Sequence, residues 1–310
     1  MSANIAFVFP GQGSQSVGML AELGANHRVV VETFSQASQV LGYDLWELVQ
    51  HDQSEQLNQT HITQPALLSA SVALWRLWLE KGGITPTMLA GHSLGEYSAL
   101  VCAGALDFSD AIRLVEARGQ FMQAAVPPGQ GAMAAIIGLD NDAIVLACEV
   151  SAQGETVAPV NYNSPGQVVI AGAKLAVERA MVVCKAAGAK RALALPVSVP
   201  SHCALMLPAA EKLRTILAGV KMKLPIIPVV HNVDAKLASS SEAIISNLVA
   251  QLHQPVLWTQ CVESIAASGV DLVVECGPGK VLNGLTKRIN KTLQSASIND
   301  AASLAATLKY

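Results

Sequence analysis

The pentapeptide Gly91-His92-Ser93-Leu94-Gly95 lies between a short apolar run, Met88-Leu89-Ala90, and a stretch of helical periodicity that begins at Leu94. A serine between strand and helix sits on a strained turn, and the flanking glycines leave room for the backbone to close it. Strand, sharp turn and helix in that order belong to an α/β protein. The same turn would expose the serine oxygen and put the Leu94 N–H at a helix N-terminus, where an oxyanion can be stabilised. A Gly- and Ser-containing chain can produce five such residues by chance. The strand before and the helix after tilt the balance toward a functional turn.

The rest of the chain keeps that rhythm. Ile5-Ala6-Phe7-Val8-Phe9 reads as a buried strand ended by Pro10-Gly11. Helices are expected over residues 29–40 and 64–81, the second with Pro65 in its first turn and Gly82-Gly83 at its end. Between residues 129 and 198 the rhythm changes. Strands at 132–139, 156–162, 167–171 and 191–197, with helices at 141–152 and 173–187, give β-α-β-β-α-β, the ferredoxin-like order. Pro127-Pro128-Gly129-Gln130-Gly131 leads into this segment and Val199-Pro200 leads out of it. The expected architecture is therefore a hydrolase-like α/β body with a parallel sheet, residues 1–128 and 199–310, plus an inserted ferredoxin-like small domain, residues 129–198. Beyond it we expect a strand at 226–230, two helices between 243 and 268, a strand at 272–275 and a final helix after Gly279.

Composition narrows the function. Of 310 residues, 51% are hydrophobic and 14% charged, ample for a core. Aromatics are only 4%, so helices and sheet should pack through small side chains. A net charge of −3 argues against nucleic acid as a partner. The six cysteines form no CxxC pair and none has zinc-ligand spacing with a histidine, so no metal is expected. Gly277-Pro278-Gly279-Lys280 lacks the earlier Gly and the following Ser/Thr of a P-loop, and Gly11-x-Gly13 lacks the third Gly of a dinucleotide fingerprint, so no cofactor is expected. Scattered thiols suit a reducing cytoplasm. The first apolar stretch stops at Pro10, too short for a signal peptide, and no run approaches the ~20 residues needed to cross a bilayer.

A serine nucleophile needs a base. Among seven histidines, His92 is expected to point away from its neighbour, and His27, His51 and His61 read as surface residues. His202, in Val199-Pro200-Ser201-His202, leads, with His231 and His253 as rivals. A second anomaly lies in the helix expected over residues 107–126, with Asp107 or Ser109 as N-cap. Arg118 falls on its apolar stripe of Ala111, Leu114, Val115, Phe121 and Met122. A guanidinium there is either a snorkelling or internally paired side chain, or a bidentate clamp for a substrate carboxylate.

Six segments together resemble the malonyl-CoA:acyl-carrier-protein transacylase family of bacterial fatty-acid synthesis. They are Phe9-Pro10-Gly11-Gln12-Gly13-Ser14-Gln15, Gly91-His92-Ser93-Leu94-Gly95-Glu96-Tyr97, Glu116-Ala117-Arg118-Gly119, Asn161-Tyr162-Asn163-Ser164-Pro165-Gly166-Gln167, Val199-Pro200-Ser201-His202 and Glu275-Cys276-Gly277-Pro278-Gly279. They occur in the family's order across essentially the whole chain. The resemblance implies that Ser93 carries a malonyl group in ping-pong transfer from malonyl-CoA to acyl carrier protein. It implies His202 as base and then acid, oriented by the backbone carbonyl of Gln251, with an oxyanion hole from the amides of Gln12 and Leu94. Arg118 would pair with the malonyl carboxylate. Met122, Asn163, Gln167, Ser201 and Val281 would contact substrate, Asn163 and Gln167 near the pantetheine arm. An acidic carrier protein could meet Lys185, Lys190 and Arg191, or Lys280, Lys287, Arg288 and Lys291, although charge runs are more often solvated surface.

Three rivals remain from the residues. A serine esterase or thioesterase would need Ser, then Asp/Glu, then His, and only His253 follows Asp234 while none follows Asp271. A non-catalytic carrier-binding module would leave Ser93, His202 and Arg118 without a purpose. The same transfer with methylmalonyl differs only in pocket size.

Overall fold

A computed structural model describes residues 4–197 and 199–310. Its strands are β1 (Ile5–Phe9), β2 (Met88–Gly91), β3 (Gly131–Ile137), β4 (Val157–Ser164), β5 (Gln167–Ala173), β6 (Arg191–Ala194), β7 (Val229–Val230), β8 (Leu272–Cys276) and β9 (Gln294–Ile298). Five of them form one parallel sheet in the order β7-β2-β1-β8-β9. β1 is central and wholly buried, as its unbroken apolar run requires when helices cover both faces. Its side chains alternate between two cores. Ile5, Phe7 and Phe9 join Trp75 and Trp78 on one face, and Ala6 and Val8 join Trp258 and Val262 on the other.

The helix Thr60–Glu80 runs through the larger core, buried on nearly all sides. Phe7 meets Trp75 edge-on at 5.6 Å. This helix begins earlier than residue 64, so Pro65 lies inside it and not in its first turn. The helix Phe108–Ala125 is capped by Asp107, whose carboxylate accepts from the N–H of Ser109 and Asp110.

The other four strands form an antiparallel sheet in the order β4-β5-β3-β6. Helices Asn141–Ala152 and Lys174–Ala186 cover one face through Ile144, Cys148, Val177 and Cys184 against Ile136 and Ile170. Chain order and sheet order are those of the ferredoxin-like arrangement. The opposite face, with Met133, Val169 and Ala171, packs on Cys203. Backbone pairing of Tyr162 and Val160 with Val256, at 3.0 and 2.8 Å, joins this unit to the parallel-sheet body.

Prolines shorten two of the expected strands. β6 stops at Ala194, just before Leu195-Pro196, and β7 keeps only Val229–Val230 after Pro225 and Pro228. Ile226, expected in that strand, is 82% exposed. The chain also continues past the helix Val281–Ile289 into β9 and a last helix, Ala301–Thr307, which the expected element order lacked. Helix Leu207–Leu217 was likewise unforeseen.

Candidate active site

β2 ends in Gly91 and helix Gly95–Cys102 starts four residues later, with Ser93 at φ 53° between them. Left-handed backbone is costly for a serine and is tolerated only where the surroundings enforce it. Both glycines do so by absence. A Cβ on Gly91 would overlap the Gly95 carbonyl, and one on Gly95 would overlap the carbonyl of Phe9 in β1. A Cβ on Gly11 would strike the His92 carbonyl, so the Pro10-Gly11-Gln12 loop can lie against the turn. Among the described residues, the N–H groups of Gln12 and Leu94 donate to no protein acceptor.

His202 also has a left-handed backbone, φ 65°, and is 3% exposed. Its Nδ1 lies 2.6 Å from the main-chain oxygen of Gln251, and its Nε2 lies 2.8 Å from Ser93 Oγ. A carbonyl can only accept, so Nδ1 carries the proton and Nε2 offers its lone pair to the serine hydroxyl. Burial first, then the charge of Arg118, pushes the His202 pKa down from 6.5 to about 3. The ring is therefore neutral and able to take a proton near neutral pH. No carboxylate makes an ion pair with His202 among the described residues.

Arg118 projects from helix Phe108–Ala125 and is 1% exposed. Nη1 donates to Gln64 Oε1 at 2.8 Å, and Nη2 donates to Gln251 Oε1 at 3.0 Å and Ser93 Oγ at 3.3 Å. Among the described residues its Nε–H has no partner, and its guanidinium carbon lies 5.4 Å from the centre of the Tyr97 ring. Burial lowers its pKa without depriving it of charge at neutral pH. The guanidinium is thus neither snorkelling nor bare. Two neutral amides hold it, and no carboxylate pairs with it among the described residues.

Ser93, Leu94, Gln12, Arg118, Met122, Ser201 and His202 line one cavity of about 120 Å³. A cavity of that size suits a short acyl group. Gln251 lies directly behind it. Three residues expected near substrate do not line the cavity. Asn163 sits in β4 and bonds His92 Nε2 at 2.8 Å, Gln167 bonds Arg288, and Val281 is 52% exposed at the start of its helix. His92 does not point away. It lines the same cavity, and its half-buried ring is bonded to Asn163.

Sequence reasoning missed several contributors. Met133, Asn161, Leu195 and Val197 bring the four-stranded unit to the cavity, and nothing in their apolar or turn-like surroundings signalled it. Gln64 and Glu96 did leave a signal, each being a large polar side chain in a stretch dominated by apolar and small residues. A larger cleft of about 690 Å³, bordered by Asp140, Tyr162, Thr259 and Glu263, touches none of Ser93, His202 and Arg118.

Residues 6–309 match the acyl transferase domain family. The chain belongs to that family. Among its relatives, this acyl transferase is 64% identical over 303 residues to the malonyl CoA-acyl carrier protein transacylase of Salmonella typhimurium, covering 98% of each chain. An acyl carrier protein S-malonyltransferase from Vibrio cholerae superposes with a TM-score of 0.96 at 62% identity, over 98% of this chain and 99% of that one. A malonyl-transacylase solved in complex with its type II PKS acyl-carrier protein superposes at 0.98, also at 62% identity, over 99% of both chains.

Proposed function

We propose that this acyl transferase moves a malonyl group from malonyl-CoA to the pantetheine thiol of acyl carrier protein, feeding fatty acid synthesis. The observation that carries the reading is the Arg118 guanidinium 3.3 Å from a serine oxygen that is itself 2.8 Å from a neutral histidine, all in one small buried cavity. A short acyl group ending in a carboxylate suits those three partners together.

Ser93 Oγ attacks the thioester carbonyl while His202 Nε2 takes the hydroxyl proton. The amides of Gln12 and Leu94 receive the oxyanion, donors of a kind worth about 3–4 kcal/mol of barrier each. Collapse breaks the C–S bond, and His202 returns the proton to the departing coenzyme A thiol. The carrier thiol then attacks the acyl-serine, giving its proton to His202, and the serine is regenerated. The Gln251 carbonyl keeps the imidazole in the useful tautomer and supports the transient imidazolium. No cofactor is invoked, because the thioester brings its own activation. Arg118 holds the malonyl carboxylate, flanked by Met122 and Ser201. Asn163 and Gln167 would serve the pantetheine arm, and Val281 would contact substrate.

The relatives' names support malonyl-CoA and carrier protein as donor and acceptor. One member of each basic cluster, Lys190 and Arg288, lies along a single chain of contacts, and an acidic carrier would dock on that face. Lys190 packs at Gly138, whose N–H bonds Gly166, and the neighbouring Gln167 bonds Arg288. Attraction of an acidic carrier to this face would weaken with salt. Among the described residues no helix is long and apolar enough to cross a membrane, and the six cysteines are unpaired and buried, which supports a cytoplasmic site of action. We assign residues 129–198 to an inserted domain and 1–128 with 199–310 to the body. The boundary residue 198 lies outside the described residues.

The test is the intact mass of the protein after mixing with malonyl-CoA, alongside Ser93→Ala. A gain of one malonyl group on wild type only, discharged by acyl carrier protein, is expected. Rapid decay to free malonate without acceptor would instead mark a hydrolase.

A further inference from the structure

A buried polar cluster lies behind Ser93, and apart from Gln251 its members take no part in the transfer steps above. Glu96 lies in the first turn of helix Gly95–Cys102, and it, His231, Asn232 and Gln251 are all 0% exposed. Glu96 Oε1 is 2.7 Å from His231 Nδ1. Its Oε2 accepts from the Asn232 N–H at 3.0 Å and from Gln251 Nε2 at 2.8 Å. Gln251 has two oxygens aimed at two different working groups. Its main-chain oxygen accepts from His202 Nδ1 at 2.6 Å, and its side-chain Oε1 accepts from Arg118 Nη2 at 3.0 Å.

A side-chain amide has two orientations of nearly equal shape, and only its partners choose between them. On one side Arg118 offers donors alone. On the other, Nε2 faces Glu96 Oε2, the Ser93 carbonyl at 3.0 Å and Asn232 Oδ1 at 3.2 Å. Asn232 Oδ1 is already engaged by the Ser93 N–H at 2.7 Å. Glu96 makes the shortest of the three contacts and the charge-assisted one.

We propose that Glu96 is a positioning residue: the reach of its carboxylate fixes Gln251 so that one residue supports both the orientation of His202 and the placement of Arg118. This deepens the transferase reading and rests on the roles proposed there for Ser93, His202 and Arg118. It goes further by giving substrate selection and base orientation a common support.

Two substitutions separate reach from charge. Glu96→Gln keeps the reach, since its oxygen can accept from Gln251 and Asn232 while its amide donates to a neutral His231. Glu96→Asp keeps the charge and withdraws the oxygens by one methylene. The readout is the ratio of Ser93 acylation rates with malonyl-CoA and acetyl-CoA. Misplacing a group by a fraction of an ångström to an ångström costs up to about 10²-fold. On that scale Glu96→Asp should slow acylation by both donors and lower the malonyl preference about tenfold, while Glu96→Gln holds it within about threefold. The opposite order would make charge the operative property and overturn the proposal. Each folded variant also decides alone: Glu96→Gln without the preference, or Glu96→Asp with it intact and only its melting temperature lowered, sinks the idea. In a Gln251→Ala background, Glu96→Asp should leave the ratio unchanged; an equal further loss would mean Glu96 acts by another route. Acylation of Ser93→Ala would refute the underlying reading instead, since it concerns whether acylation occurs and not the ratio between donors.

Discussion

The two regions that meet across the cavity are built on different terms. From the parallel-sheet body come Ser93, Arg118 and His202, with Gln251 and Glu96 behind them, each buried or walled in and each tied to two or more polar partners. The four-stranded unit contributes Met133, Asn161, Leu195 and Val197 to the wall, and it ties to a cavity-lining residue of the body through the hydrogen bond between Asn163 and His92. Groups that must hold sub-ångström geometry are concentrated where neighbours over-determine them. The other region supplies shape. Changes in the body should therefore alter chemistry and selectivity, and changes in the small unit should alter fit.

Arg118→Ala tests the first half most severely. Removing a buried charge partner costs about 3 kcal/mol or more, so malonyl acylation should fall about 10²-fold or more. Acetyl acylation should fall far less, because an acetyl group brings no carboxylate. Rapid-quench acylation with both thioesters measures this, and an equal loss for both would break the assignment of selectivity to the body.

A smaller effect concerns pH. The His202 pKa lies near 3 because of burial and then the Arg118 charge. Its folded value is below the ordinary 6.5, so the stability tied to its neutral form is complete above 6.5 and is lost as pH falls toward about 3. The acylation rate should accordingly show no acid limb at 6.5. In Arg118→Ala the limb should move upward, since one of the two main depressing influences is gone. A wild-type limb at 6.5 would mean His202 is more exposed in solution than its 3% implies.

The same contrast governs what could be read from the sequence. β1, β2 and β8 are short apolar runs bounded by Pro or Gly, and their ends carry the motifs, so both the sheet and the elbow were legible. β9 was not, because Gln294-Ser295-Ala296-Ser297-Ile298 is a half-buried edge strand of small polar residues with no periodic signal. Arg118 declared itself as a charge on an apolar stripe. The Gln251 side chain did not, since nothing local reveals that one amide meets Ser93 and Glu96 at the elbow, Arg118 and Asn232 from three separate segments. Motifs report what the chain needs nearby in sequence, whereas a buried network is assembled by contacts between distant segments.

The smallest effect tests the second half. Asn163 Oδ1 accepts from His92 Nε2 at 2.8 Å, and the neutral His92 ring, its pKa lowered by burial, packs 5.4 Å from Trp258 while forming one wall of the cavity. Asn163→Ala removes one neutral hydrogen bond, worth about 1 kcal/mol, or roughly fivefold. The neighbouring indole, tilted 59° to the imidazole, should keep the ring near its place. Because His92 makes no hydrogen bond with Arg118, the loss should fall equally on malonyl and acetyl transfer and should leave the pH profile where it was. Steady-state rates with both thioesters across pH would show it. A changed malonyl-to-acetyl ratio, or a loss approaching that of Arg118→Ala, would mean that the four-stranded unit shares in the chemistry as well as in the shape.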